Sequence, residues 1–469
     1  MSQTFNRLLR PLLPAGVELN REQTHAVLAS YLGWTLDAFD FLMLTLITKD
    51  IAEEFHKPAT ALGLVITGTL ALRPVGAFIF GRLADRFGRR PILMLNVLTY
   101  SALAFASAFA PDFTTFLILR CLFGVAMGGE WGVGSSLAME HMRPESRGIV
   151  SGLLQTGYPT GGLIAAAAAA FLLPDHSWRF LVMLSVIPAL LVVFIRMGVP
   201  ESPHWQRGQQ QVSAIKADGL AYGLIGVTLT IIGQLSLFTD LLKPLGLPMI
   251  VSIVSLVAGL ALTPLAFGRK YWGLALFAML MMAGFNSLSH GTQDFYSNFL
   301  RIQMHFDAST ASSIIAVGSL GAICGGITSG TLSQIIGRRR MITIGALAVL
   351  PMIPMWVFYA HGMAQFMAAV FALQFCVQGA WGVVPAHLNE LSPGDVRGTF
   401  PGFVYQVGNL LSAVVPYSQT YLVEHHQWQY GQALALVAVG AALTIAVLVN
   451  LGPEGRHVTM SGEPAPAAK

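Results

Sequence analysis

The sequence predicts an all-α membrane protein: two six-helix halves with an inserted central helix pair, fourteen transmembrane helices in all. Three observations predict it. The 469 residues are 54% hydrophobic and only 11% charged, where a soluble protein carries roughly 25% charged residues. Apolar runs of the roughly 20 residues that a helix needs to cross the hydrocarbon core recur along the whole length. The second half of the chain also repeats motifs of the first.

Taken in order, the expected spans are 27–48, 62–82, 91–110, 114–140, 148–172, 178–198, 219–238, 246–267, 271–297, 310–335, 341–360, 363–388, 399–422 and 429–450. Residues 1–26 form an N-terminal cytoplasmic tail and 27–198 the first six-helix half. Residues 199–218 form a cytoplasmic linker that includes Gly208-Gln209-Gln210-Gln211, and 219–267 the inserted pair. Residues 271–450 form the second half and 451–469 a C-terminal cytoplasmic tail. Of the 27 Lys and Arg residues, only Lys49, Lys57, Arg179, Lys243 and Arg301 fall in loops on one side, and Arg73 and Arg120 fall inside spans. The remainder lie on the other side, which the positive-inside rule makes cytoplasmic, with both termini inside a cell membrane. Residues 1–24 lack a basic, apolar and small-residue series, so no removable signal peptide is expected.

The repeat is read from two segments. GEWGVGSSLAMEHMRPESRG (129–148) and GAWGVVPAHLNELSPGDVRG (379–398) share Gly129, Trp131, Gly132, Val133, Glu140, Arg147 and Gly148 at an offset of 250. GRLADRFGRR (81–90) is echoed by GTLSQIIGRR (330–339), and Pro200-Glu201 by Pro453-Glu454. Two parallel halves follow. The pair at 219–267 has no echo, and an even insertion leaves both halves in the same orientation.

Ionisable residues inside such spans are costly and mark functional paths. In 284–298, Asn286, His290 and Asp294 recur at steps of four and share one helix face, with Gln293 beside them. An ordinary histidine side chain titrates near neutral pH, and Asp294 is placed to hold the ring of His290. A plain interhelical hydrogen bond is the alternative. Arg120 has Val370 as its counterpart, so no role shared by the halves needs an Arg there; it is a candidate for a substrate carboxylate, or for a structural ion pair. Arg73 could pair with Asp37 or Asp40, which lie three apart in the first span. Asp40 aligns with Asp294, so acids recur in both first helices. Glu130 has Ala380 as its counterpart and is a secondary site candidate.

Asp85, Arg86, Arg89 and Arg90 lie in the cytoplasmic turn between spans two and three. They anchor the positive-inside face, and Asp85 is a candidate latch to an Arg or a helix terminus. Glu140, Glu390, Arg147 and Arg397 repeat between the halves and are expected as gating charges. Trp131 and Trp381 repeat as packing residues. The three cysteines, Cys121, Cys324 and Cys376, lie in apolar segments without metal-ligand spacing. No metal, cofactor or catalytic constellation is expected, and the net charge of +4 is no sign of nucleic acid.

The turn residues Gly81, Asp85, Arg86, Gly88, Arg89 and Arg90, and the pattern Arg120-x-x-x-Gly124 with Gly128, resemble the major facilitator superfamily. Within it the chain resembles the sialate:proton symporter family, closest to Jen-type lactate/pyruvate permeases. Their seventh-helix signature is met by Asn286, Ser289, His290, Thr292, Gln293 and Asp294, with Asn298 in place of its final Thr. The runs WTLDAFDF (34–41), RGIVSGLLQTGY (147–158), VQGAWGVVPAHLNELSPG (377–394) and YQVGN (405–409) are similar too. The inserted pair departs from the yeast-type permeases and is similar to sialate transporters.

The resemblance implies a proton-coupled symporter of small monocarboxylates such as lactate or pyruvate, working by alternating access as a monomer with the proton gradient as its energy source. It implies that Gln406 and Asn409 contribute to substrate binding; interhelical hydrogen bonding is their alternative role. A larger acid such as sialate, and a receptor that binds the acid without moving it, are the competing readings.

Overall fold

Inside a bilayer, backbone polar groups have no water to bond, so a spanning chain satisfies them within helices. The computed structural model describes residues 7, 10, 18–208, 217–238, 246, 248–456, 458 and 460, and these are overwhelmingly helical. Most of the N-terminal tail, the Gln209–Gln211 run, the 239–245 segment with Lys243 and the end of the C-terminal tail lie outside the described residues.

The first half contains α1 (Arg21–Leu46), α2 (Ala59–Phe87), α3 (Arg89–Ser107), α4 (Phe113–Gly128), α5 (Glu130–His141), α6 (Arg147–Gln155), α7 (Gly157–Leu172) and α8 (Ile187–Gly198). Next come α9 (Ala217–Phe238) and α10 (Met249–Leu262). The second half contains α11 (Trp272–Gln293), α12 (Ala308–Ile336), α13 (Arg338–Ala348), α14 (Met363–Trp381), α15 (Val384–Leu391), α16 (Phe400–Ser412), α17 (Val414–His426) and α18 (Tyr430–Leu451).

Among the described residues, ten helical stretches are long and apolar enough to cross a membrane. They coincide with ten of the fourteen expected spans. The other four are helical but differ in character. The helix at 91–110 is α3, which opens on Arg89-Arg90. The spans at 148–172, 178–198 and 399–422 are interrupted, at Thr156, at a 3₁₀ turn over Leu184–Val186 and at Ala413.

Side chains and glycines set the ends and the packing. Asn20 and Gln23 form a capping box on α1. Asp112 caps α4 and Asp307 caps α12 by accepting backbone N–H bonds. Gly88 and Gly337 have φ of 107° and 101°, a conformation that suits glycine at the sharp turns into α3 and α13. The small-residue faces of α2 and α4, and of α12 and α14, approach backbone to backbone: a Cβ at Gly128 would sit 2.0 Å from the Arg73 carbonyl oxygen. Such close contact drives helix association where lipid supplies no hydrophobic force.

The repeat extends to the contacts themselves. Glu201 accepts hydrogen bonds from the Arg89 and Arg90 N–H groups at 3.0 and 3.1 Å. Glu454 accepts from the Arg338 and Arg339 N–H groups at 3.2 and 3.0 Å. Each carboxylate thus seats the final segment of its half on the positive N-terminus of a helix.

Hydrogen bonds between the halves gather at the end that carries these turns. Ser136 donates to the Arg397 carbonyl at 2.7 Å and Ser151 to the Gly382 carbonyl at 2.7 Å. Gly132 and Gly402 meet so closely that a Cβ on Gly132 would lie 2.6 Å from the Gly402 Cα. α9 and α10 pack together through Ser236 and Ser252. The segment they form with the turn at Thr263–Phe267 touches both halves: Arg82 donates to the Ala266 carbonyl at 2.6 Å, and Gln234 to the Leu411 carbonyl at 3.1 Å.

Candidate functional site

α11 carries His290 one turn before its end, and Asp294 closes the helix as its C-cap. His290 Nδ1 lies 3.0 Å from Asp294 Oδ2, and Nε2 lies 3.0 Å from Asn409 Oδ1 on α16. With oxygen on both sides, an imidazolium would donate from both ring nitrogens. Rotation of the Asn409 amide would present an N–H instead and suit the neutral ring, so Asn409 can serve either state. The His290 and Asp294 side chains remain 27% and 36% exposed. His290 and Asp294 thus meet on α11, and His290 ties that helix to α16.

Gln293 donates to Gln374 of α14 at 3.0 Å. Asn286 is buried and donates back to the Met282 carbonyl of its own helix at 2.8 Å. Gln406 is buried, and its Oε1 has no hydrogen-bond partner among the described residues. Between the halves sits an aromatic floor. Trp131 and Tyr405 have ring centroids 4.7 Å apart, Trp34 and Tyr158 5.6 Å, and Trp381 and Tyr405 5.7 Å. Trp381 also donates to Ser289 Oγ at 2.7 Å, so this repeated tryptophan orients the histidine helix as well as packing.

The first half contributes a second polar group. Asp37, Asp40, Arg73, Arg120 and Glu130 are all nearly fully buried. Asp40 Oδ1 accepts from Ser185 at 2.7 Å. Arg73 forms no ion pair with Asp37 or Asp40 within 4.0 Å among the described residues. Its Nη2 meets Met127 Sδ at 2.7 Å and its guanidinium lies over the Phe41 ring at 4.6 Å. Arg120 lies over Phe123 at 4.2 Å, with Nε and Nη2 lacking hydrogen-bond partners among the described residues. The fields of the two arginines differ. Arg73 lies within electrostatic reach of Asp37 and Arg120 of the first half as well as of His290, whereas Arg120 lies near Asp40. Both arginines thus pack within the first half, Arg73 against Met127 and Phe41 and Arg120 against Phe123.

The predicted gating residues assemble at the other end of the helices. Asp85 accepts from the Gly398 and Thr399 N–H groups at 2.7 and 3.1 Å and from Thr399 Oγ1 at 2.5 Å, and it pairs with Arg89 at 3.2 Å. Both partners considered from sequence, an Arg and a helix terminus, are present. Its counterpart Gln334 accepts from the Gly148 N–H at 3.2 Å.

Arg89 pairs with Glu140 at 3.1 Å and Arg338 with Glu390 at 3.0 Å. The other two arginines act across the halves: Arg147 lies 3.8 Å from Glu390, and Arg397 acts on Glu140. Arg147 and Arg397 also donate to the Val458 and Met460 carbonyls. The Arg90 N–H belongs to the Glu201 clamp. Arg86 is exposed and lies over Phe87, apart from this network. Sequence reasoning missed Gln374, Ser185 and the clamping role of Glu201 and Glu454. Only the last left a signal, the repeated Pro-Glu.

Two cavities complete the picture. One of about 10 Å³ is lined by Ser30, Trp34, Glu130, Trp131, Gly134, Ser135 and Leu154. A cleft of about 670 Å³ opens near Lys49, Glu53, His56 and Lys57 and contains none of the predicted site residues.

Relatives agree with this architecture. The chain is 27% identical over 427 residues to the carboxylic acid transporter protein homolog of Saccharomyces cerevisiae, covering 90% of this chain but 64% of that protein. It is 25% identical to the cis,cis-muconate transport protein of Acinetobacter baylyi, over 90% of this chain and 92% of that one. It is 25% identical to the sialic acid transporter NanX of Escherichia coli, over 95% and 98%. Among solved structures, the human organic anion transporter MFSD10 superposes with a TM-score of 0.68 at 14% identity, covering 92% of this chain and all of that one. The proton:xylose symporter XylE gives 0.66 at 17% identity, over 92% and 96%. These likenesses are to transporters rather than enzymes, and the structural ones concern the fold. Residues 26–298 and 272–468 each match the Major Facilitator Superfamily, and the chain belongs to that family of multi-pass membrane proteins.

Proposed function

We propose that the protein is a proton-coupled symporter of small organic acid anions, with monocarboxylates such as lactate or pyruvate as its substrate class. The observation that carries the reading is His290, held between Asp294 and Asn409 at 3.0 Å on each side and still reachable by solvent. A histidine that bridges two helices can bind a proton and, in doing so, change what each helix holds.

In this reading the substrate carboxylate meets Arg73 or Arg120, the buried guanidiniums of the first half. Asn286, Gln293, Gln406 and Asn409 line the site from the second half. His290 with Asp294, and Asp37 with Asp40, carry the coupled proton. Substrate and proton together stabilise the closed state, which couples their movements. Asp85, Arg89, Glu140, Arg147, Glu390 and Arg397 then hold the basic end shut, with Arg86 and Arg90 beside them. The halves rock about the site. The basic end faces the cytoplasm together with both termini, the chain crosses fourteen times with 219–267 as an inserted pair, and a monomer suffices.

A larger acid such as sialate is the second reading. The inserted pair favours it, as does the match that spans 98% of the sialic acid transporter. Uptake of labelled lactate, pyruvate and sialate into proteoliposomes at two external pH values decides between them. The proposal expects lactate or pyruvate uptake that rises as external pH falls and that sialate does not compete. Uptake of sialate alone would transfer the mechanism to the larger acid. Acid binding without counterflow would overturn transport itself.

A further inference from the structure

The small cavity beneath the aromatic floor contains a carboxylate, Glu130, to which the transport cycle above assigns no role. Glu130 opens α5 just after the Gly128-Gly129 break, and it is 1% exposed. Neither of its oxygens has a hydrogen-bond partner among the described residues. It lines the cavity of about 10 Å³, room for about a single water. The neighbouring hydroxyls are engaged elsewhere: Ser30 donates to the Gly134 carbonyl at 2.7 Å and Ser135 to the Gly132 carbonyl at 3.2 Å.

The space for Glu130 is made by Gly33 of α1, where a Cβ would collide with Glu130 Oε1. The repeat shows that the fold does not need an acid here, because Ala380 occupies the matching place. The titratable groups around it are Asp37 and Asp40 of α1, Tyr100 of α3 and, beyond Asp37, Arg73 of α2. Tyr405 of α16 belongs to the floor above. Asp37 Oδ1 and the Tyr100 hydroxyl likewise lack hydrogen-bond partners among the described residues. No guanidinium reaches Glu130 as an ion-pair partner among the described residues, and an unpaired buried charge is among the costliest things a fold can hold.

The cavity also meets the second half along its wall. Its wall residue Ser135 accepts a hydrogen bond from Asn389 of the second half at 3.3 Å, and Trp131 stacks on Tyr405 of that half. Both contacts cross the plane along which the halves separate.

We propose that Glu130 is a second exchangeable proton site. It carries a proton while the basic end is closed. It releases that proton to the cytoplasm when the Ser135–Asn389 and Trp131–Tyr405 contacts part. In that step the Oε–H bond breaks, the carboxylate keeps the electron pair and water entering the cavity takes the proton. This rests on the symport reading. With one proton at the His290 pair and a monovalent acid anion, the second proton makes the cycle electrogenic.

The test uses purified full-length protein in liposomes, labelled lactate, a fixed inward pH gradient, and a potassium diffusion potential set by valinomycin. In the wild type an inside-negative potential should raise uptake. In Glu130→Gln, which mimics the protonated acid in shape, the ratio of uptake with and without potential should fall to unity. A wild type blind to potential, or a variant that keeps the wild-type ratio, overturns the proposal. Infrared spectra of the same proteins give a readout that needs no substrate: a buried carboxylic-acid C=O band at neutral pH should be present in the wild type and should lose the Glu130 component in Glu130→Gln. An unchanged band overturns the proposal. If the wild type takes up no lactate under a pH gradient, the symport reading fails for lactate, while the infrared comparison still decides whether Glu130 holds a proton.

Discussion

Asp85 is the sharpest test of the closed end. Its carboxylate is buried and takes two backbone N–H groups of the opposite half, Gly398 at 2.7 Å and Thr399 at 3.1 Å, besides the Thr399 hydroxyl. In Asp85→Asn one side of the group still accepts, but the other becomes an NH₂ that faces donors. Hydrogen bonds to a charged group contribute roughly 1.5–3 kcal/mol each. Losing one, and setting donor against donor, should cost the closed arrangement about 3 kcal/mol. At about 1.4 kcal/mol per factor of ten, that is about a hundredfold shift toward the form open at this end. Spin labels at Glu145 and Asp395, both exposed and on opposite halves, would read the change by pulsed electron–electron resonance. The variant should gain a population at longer distance. A distance distribution identical to that of the unsubstituted protein would refute the latch.

Four further outcomes follow from the geometry. Gly132→Ala places a Cβ 2.6 Å from the Gly402 Cα; overpacking of this kind costs about 1–3 kcal/mol, so the same spin-label pair should again move apart. Burial works to raise the Glu454 carboxyl, but the Arg339, Arg338 and Arg456 N–H groups hold it below the ordinary glutamate value. Its clamp is therefore complete above that value and lost as pH falls through the folded one, and Glu454→Gln should flatten the acid limb of a melting-temperature profile. Because this carboxylate is exposed to screening, the loss at neutral pH should be about 1 kcal/mol or less. Arg73→Lys and Arg120→Lys each keep the charge but lose the planar fork; whichever holds the carboxylate should weaken substrate affinity several-fold in a binding titration, and the other should not.

The parts of this molecule that repeat were readable from sequence. Glu140 and Glu390, Arg147 and Arg397, and Pro-Glu at 200–201 and 453–454 stood out because each occurs twice at nearly one offset. A repeated charge in an apolar chain is hard to explain except by a repeated contact. What the repeat could not say is which charge meets which. Arg147 lies close in sequence to Glu140, yet it pairs with Glu390 of the other half, while Glu140 takes Arg89. The halves meet face to face, so the pairing is set by their docking and not by sequence distance.

The same holds for His290. Its step-of-four relation to Asp294 is a property of one helix and was legible, whereas the link to Asn409 requires α11 and α16 to be neighbours. Arg73 and Arg120 looked alike as lone arginines in apolar spans. Only the packing of α2 and α4 separates them, setting Arg73 against Met127 and Phe41 and Arg120 against Phe123. The four spans that depart from long apolar helices do so for two reasons. Thr156, the turn at Leu184–Val186 and Ala413 break three of them, and the fourth, though continuous, opens on Arg89-Arg90.

The central claim is that His290 and Asp294 couple a proton to the movement of an acid. Wild-type protein and Asp294→Asn in liposomes, loaded or not with unlabelled lactate, measure it most directly. Under an inward pH gradient the wild type should accumulate labelled lactate above equilibrium. Asp294→Asn should still exchange labelled for unlabelled lactate but should not accumulate it. Equal accumulation by the two proteins would contradict the account.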